Sequence, residues 1–192
     1  MSKKVGALLL AAGFSNRFGS AKLLAPLNNG ELVFQQTLSR LGAALTDVVV
    51  ITRPELDENL KPYAPGLHVF AEAERGMGAS LAYGIELAAQ WDACLICLAD
   101  MPFIQTESYK EIARSARTDN IIIPQYQGNP GNPVAFGSHF FHELGGLSGD
   151  AGGRSVVRQH ISRVLKLDID DPAILADIDT PQDLSHLQAA FA

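Results

Sequence analysis

Two cysteines in 192 residues leave little material for disulfides or zinc chemistry. Cys94 and Cys97 form a C-x-x-C, but it lies inside the apolar run Ala93-Cys94-Leu95-Ile96-Cys97-Leu98. Residues three apart on a strand point to opposite faces, so these thiols cannot meet each other or share one metal, and no second pair completes a zinc site. No apolar run approaches the roughly 20 residues that span a bilayer. Lys3-Lys4 leads into a strand without a small-residue cleavage site, so the chain reads as cytoplasmic with no membrane partner. Charged residues are sparse at 19%, with a net charge of -6, which removes any general attraction for nucleic acid and makes every useful positive charge a local one. The histidines, His68, His139, His142, His160 and His186, show no metal-ligand spacing, and His139 and His142 fit one turn of an exposed helix. Ser15 is no hydrolytic nucleophile, because Gly13-Phe14-Ser15-Asn16-Arg17 has Arg where the G-x-S-x-G elbow needs glycine.

What the chain does have is rhythm. Apolar, strand-like runs at 5–10, 47–52, 67–71, 93–99, 120–124, 133–136 and 163–168 alternate with helical patterns at 32–45, 80–90 and 106–117. With no repeat, linker or low-complexity tract, and a length that suits one core, residues 1–192 are expected to form a single Rossmann-like α/β domain, a mostly parallel sheet with helices on both faces. In such sheets ligands bind beyond the carboxyl ends of the strands, which places the segments after 5–10 and after 93–99 in one crevice.

The first of these segments, Ala11-Ala12-Gly13-Phe14-Ser15-Asn16-Arg17-Phe18-Gly19-Ser20-Ala21-Lys22, breaks from a buried strand into a glycine-bearing loop with two cations. Gly13 is expected to turn the chain and admit an anion, the amides of 13–18 to donate, and Arg17 and Lys22 to bind phosphate oxygens. A Walker loop is excluded, since Lys22 is followed by Leu23 and not by Ser or Thr. The dinucleotide fingerprint fails because Ser15 stands where its second glycine belongs.

Asp100 ends the second strand ahead of Met101-Pro102, where a carboxylate is expensive unless paired or metal-bound; capping a following helix is the alternative. Asp177 and Asp179, in Asp177-Ile178-Asp179-Thr180-Pro181, lie on one face of an extended chain before a helix begun by Thr180-Pro181, and either could meet Asp100. Two hard carboxylates plus nucleotide oxygens suit magnesium. Arg75-Gly76-Met77-Gly78-Ala79-Ser80-Leu81 joins two glycines to Ser80, a plausible helix cap. Ser148-Gly149-Asp150-Ala151-Gly152-Gly153-Arg154 can present amides and Arg154 to a second anion.

The pattern AAG-x-S-x-R-x-G-x-x-K resembles the signature of the nucleotidyltransferases that act on molybdopterin, most closely the molybdenum cofactor cytidylyltransferase group. Leu98-Ala99-Asp100-Met101-Pro102 resembles the family's L-x-D-M-P, and Asp177-Ile178-Asp179-Thr180-Pro181 its D-[IV]-D-T-P. The resemblance runs from Gly6 to Leu184 through five motifs in family order. It implies transfer of CMP from CTP to molybdopterin with release of pyrophosphate, and possible service to a molybdenum hydroxylase. It implies Mg2+ on Asp100 and Asp179, with Asp177 the lesser candidate. Arg17, Lys22 and Asp100 take the catalytic roles. Nucleotide contacts fall to Ala11, Ala12, Gly13, Arg17, Lys22, Gly78, Ser80 and Asp100, and acceptor contacts to Gly131, Asn132, Pro133, Asp150 and Arg154. Asn132 stands where the cytidylyl group carries His, and Ala12 where guanylyl relatives carry a second glycine. The alternatives are transfer to another phosphorylated metabolite, or a nucleotide-binding accessory of a molybdenum hydroxylase.

Overall fold

The apolar runs become strands and the amphipathic runs become the helices that cover them. The computed structural model describes residues 3–15, 17–150 and 152–191, so Asn16 and Ala151, each inside an expected binding loop, lie outside the described residues. Strands β1 (Val5–Ala11), β2 (Val48–Thr52), β3 (His68–Val69), β4 (Ala93–Leu98), β5 (Ile121–Tyr126), β6 (Asn129–Pro130), β7 (Val134–Gly137) and β8 (Val164–Asp168) form one eight-stranded sheet. Its order is β3-β2-β1-β4-β7-β5-β6, with β8 beside β5. The β1–β2, β1–β4, β2–β3 and β5–β8 pairs are parallel. β7 runs antiparallel to both β4 and β5, because the few residues between Tyr126 and Val134 cannot hold the crossover of a dozen or more residues that a parallel return needs.

Alternation along the central strands sorts side chains into two cores. Ala7, Leu9, Leu95 and Cys97 face a cluster that includes Phe34 and Leu41 of α1 (Val33–Gly42), Leu56 and Leu60 of α2 (Pro54–Leu60), Tyr109 and Ile112 of α4 (Thr106–Ser115), and Leu184 of α7 (Pro181–Phe191). Leu8, Leu10, Cys94 and Ile96 face Leu81 and Ile85 of α3 (Met77–Leu87), Leu144 of α5 (Phe141–Gly145) and Val156 of α6 (Arg154–Gln159). Both thiols are fully buried and unpaired by disulfide, on opposite faces as the C-x-x-C spacing requires.

Because β1 has β2 on one side and β4 on the other, the connections leave it in opposite directions and open a crevice beyond the carboxyl ends of β1 and β4. Three polar residues of α1 fix that rim. Thr37 Oγ1 donates to Ala99 O at 3.0 Å, Gln36 Nε2 to Pro102 O at 2.9 Å and Arg40 Nη1 to Phe103 O at 2.6 Å. The backbone on either side of Asp100 is thus held by side chains that the apolar periodicity of α1 does not single out.

Two local expectations need correcting. α3 starts at Met77 with Gly76 as its cap, so Ser80 lies inside the first turn and caps nothing. Gly76, at φ +97, admits the chain into the helix earlier than a residue with a side chain could. No helix begins at Asp100 either. α4 begins at Thr106, its start held by the buried Asp171, whose Oδ2 accepts from Gln105 N at 2.9 Å and Ser108 Oγ at 2.7 Å.

Candidate active site

The crevice holds a cavity of about 400 Å3 lined by residues from five separate stretches of chain. The first loop contributes Ala11, Ala12, Gly13, Arg17 and Lys22, the glycine segment Gly76 and Ser80, the end of β4 Asp100, and the later loops Asp150, Asp177 and Asp179. Most of the expected nucleotide-side residues therefore share one space. Gly78, Gly131, Asn132, Pro133 and Arg154 do not line it.

Lys22 is the centre of the arrangement. It opens a short 3-10 turn, Lys22–Leu24, that carries its buried stem beneath the loop. Its Nζ lies 2.5 Å from Asp100 Oδ2 and 3.3 Å from Asp179 Oδ1, and donates to Ile178 O at 2.7 Å. Arg17 Nη1 completes the knot at 2.5 Å from Asp179 Oδ2. Ile178 N in turn donates to Asp100 O at 3.1 Å, stitching the two acidic segments together. Burial pushes the Lys22 ammonium down, but Asp100 and Asp179 together outweigh it and hold it above the ordinary lysine range. Asp100 bears the cost: burial raises its carboxyl, Lys22 offsets this only in part, and Asp177 adds to the rise. Asp100 Oδ1 is buried and, among the described residues, has no hydrogen-bond partner. The knot thus contains a hard oxygen with free lone pairs, on a carboxylate paired with Lys22.

The loop itself differs in detail from expectation. Left-handed backbone falls at Ser15, φ 53, and Gly19, φ 78, while Gly13 keeps an ordinary backbone and a Cβ built on it meets open space. The Phe18 amide is spent on Ser15 O at 3.0 Å and is not free for an anion.

Gly76 and Gly78 act by closeness. Gly149 N donates to Arg75 O at 3.0 Å and Gly78 N to Gly149 O at 2.7 Å, clasping the two loops. A Cβ on Gly78 would sit 2.8 Å from Gly149 O, and one on Gly76 2.6 Å from Asp150 Oδ1. Asp150 reaches the cavity through this clasp, whereas Arg154 stands exposed at the start of α6. Gly131 and Asn132 pack on a different neighbour. Asn132 N donates to Ile174 O at 2.8 Å, and a Cβ on Gly131 would meet that same carbonyl at 2.5 Å.

Behind Asp179, Thr180 and Asp183 form a reciprocal cap on α7. Thr180 N donates to Asp183 Oδ2 at 2.7 Å, Asp183 N to Thr180 Oγ1 at 3.2 Å, and Asp179 N to Asp183 Oδ2 at 3.1 Å. The helix start predicted at Thr180-Pro181 therefore also fixes the backbone that presents Asp179.

A cavity that gathers a glycine-bearing loop, paired cations and clustered carboxylates at the switch point of a mostly parallel sheet has its counterpart among known proteins: a family model described as the MobA-like NTP transferase domain matches residues 7–164. The chain belongs to this family. As a MobA-like NTP transferase it is a nucleotidyltransferase, with relatives that match over most of its length. "Purine catabolism protein PucB" of Bacillus subtilis is 30% identical over 198 residues, 96% of each chain. "Molybdenum cofactor cytidylyltransferase" of Escherichia coli is 23% identical over 185 residues, 93% of each. Rv0371c from Mycobacterium tuberculosis has the same fold, with a TM-score of 0.85 at 25% identity over 98% of this chain and 99% of that one. A second structure of that protein, a complex with manganese, matches at TM-score 0.80 and 23% identity, covering 98% of this chain and all of that one.

Among the described residues no three His, Cys, Asp or Glu side chains gather into an all-protein metal cage. No helix among them is long and apolar enough to cross a membrane.

Proposed function

We propose that this MobA-like NTP transferase moves CMP from CTP onto the terminal phosphate of molybdopterin, in the cytoplasm, with release of pyrophosphate. The observation that carries this reading is the Lys22 knot, in which one buried ammonium holds Asp100 and Asp179 while Arg17 holds the far side of Asp179. In this reading the cations serve the phosphates and the carboxylates serve a divalent ion. An incoming triphosphate offers Arg17 and Lys22 a denser negative charge than Asp179 does, and their transfer to it frees the Asp179 carboxylate.

Asp100 and Asp179 fit Mg2+, since Asp100 Oδ1 is a buried hard oxygen without a partner and this ion seldom takes an all-protein cage. When bound, the ion neutralises charge developing on the phosphate oxygens. The manganese complex of Rv0371c supports a divalent ion at this fold. Gly13 and Ala12 face the nucleotide, Ser80 and the Gly76–Gly78 clasp its sugar and base, and Asp150 with Arg154, Gly131, Asn132 and Pro133 the acceptor side. No general base is needed, because a phosphate monoester is largely ionised at neutral pH and attacks the α-phosphorus in line.

The likeness to a purine catabolism protein supports a second reading, in which the same phosphate apparatus serves another small phosphorylated metabolite. Measuring pyrophosphate release with each of the four NTPs, with and without molybdopterin, separates the two. Release that requires both CTP and molybdopterin is the expected result. Release that is indifferent to molybdopterin moves the acceptor to the second reading.

A further inference from the structure

Arg53 plays no part in the reading above, yet among the described residues it is buried and in contact with the first loop. It follows Thr52, which pairs with Ala11 at the end of the parallel β1–β2 ladder, and it caps α2 ahead of Pro54. That register places its side chain directly beside the start of the loop. Only 8% of the residue is exposed. Its Nη1 donates to Gly13 O, with Ala12 O at 3.5 Å, and its guanidinium lies 4.5 Å from the centroid of the Phe14 ring. Nε has no hydrogen-bond partner among the described residues and is met only by the exposed Glu55 carboxylate at 3.2 Å.

We propose that Arg53 is a positioning residue for the nucleotide triphosphate: it binds the loop carbonyls from behind, so that the backbone at 12–14 keeps its amide side for the anion, and it seats Phe14 at the cavity mouth. The chemistry favours this over simple packing. A buried guanidinium is costly unless its donors are used, and here Nη1 is spent on carbonyls of a loop that needs them turned away from phosphate. The three cations near the loop also differ in pairing. Lys22 is matched by two carboxylates and Arg17 by one, whereas Arg53 faces only one, and that one is largely in solvent. Phe14, 46% exposed and lining the cavity, is held from beneath by the Arg53 guanidinium.

The inference rests on the loop being the triphosphate site, and direct binding of NTPs keeps the two claims apart. Calorimetric titration of wild-type protein with each NTP identifies the tightest ligand; binding of none overturns both claims. Against that ligand, Arg53→Met is expected to bind at least about tenfold more weakly, and Arg53→Lys to fall between, since it keeps charge but loses the fork. Arg53→Ala is expected to regain affinity on addition of millimolar guanidinium, far below denaturing concentrations, which lost packing alone does not predict. In turnover, the KM for NTP rises in these variants while the acceptor KM holds. Where Arg53→Met fails to fold by circular dichroism, Arg53→Lys carries the same test. NTP affinity within about twofold of wild type in the folded variants, or equal loss for NTP and acceptor, overturns the role.

Discussion

Lys22 shows how a single side chain can hold a site in readiness. A lysine with an exposed partner gains little from the pair, but here desolvation and two carboxylates act on one buried ammonium, so removing Lys22 leaves Asp100 a buried, unpaired charge. Asp100→Asn is expected to keep the fold and lower turnover by at least about 10²-fold, because the buried oxygen loses its charge at the centre where phosphate charge develops. Asp179→Asn is expected to behave similarly and Asp177→Asn much more mildly, since Asp179 meets Arg17 and Lys22 directly while Asp177 lines the cavity exposed. Steady-state rates at saturating substrate check this order, and a larger loss for Asp177→Asn would reassign the second ligand. Substrate preference divides in the same way. Lys22→Ala is expected to raise the KM for NTP more than that for the acceptor, and Arg154→Ala to do the reverse. The two Michaelis constants of each variant decide whether the crevice has separate halves.

At the scale of elements, what could be read in advance depended on how local its cause was. β1, β4 and β7 are apolar runs bounded by turn residues, and their positions follow from burial alone. The Asp100 and Asp179 motifs were legible because each carboxylate sits at the end of an apolar or extended stretch where it is costly without a purpose. Arg53 was not legible, since in sequence it is an arginine ahead of a Pro-led helix, and only the parallel register of β1 with β2 brings it to Gly13. Asp171 was hidden for the same reason: it caps a helix more than sixty residues away in the chain. Gly78 is expected from its motif to contact nucleotide, yet in the structure Gly76 and Gly78 pack against the 148–149 backbone. Gly78→Ala puts a methyl 2.8 Å from Gly149 O. It is expected to destabilise by about 1–3 kcal/mol, as overpacking does, and to weaken activity further by moving Asp150 from the cavity. Urea unfolding read beside turnover checks both effects, and full stability would show that the clasp yields freely.

For the whole molecule, the common fold leaves specificity to a few contacts in a shared cavity. Ala12 is buried and lines that cavity, and its methyl narrows the space that a second glycine would leave. One methyl discriminates by about 1–3 kcal/mol, so CTP is expected to be preferred over GTP clearly but incompletely, and Ala12→Gly to narrow the gap. Turnover of GTP equal to that of CTP, with molybdopterin as acceptor, would leave the enzyme class standing and remove the base assignment. The two thiols of β4 carry a consequence of another kind. Each sits in a different one of the two cores, fully enclosed, and burial raises both well above the ordinary thiol range. A thiol-reactive dye can therefore reach them only when the layer above has lifted. Mass spectrometry after a brief dye pulse turns Cys94 into a clock for detachment of the α3, α5 and α6 layer, and Cys97 into one for the α1, α2, α4 and α7 layer. Equal labelling rates are expected if the central strand gives way as one cooperative unit, and a faster site would name the side of the sheet from which unfolding begins.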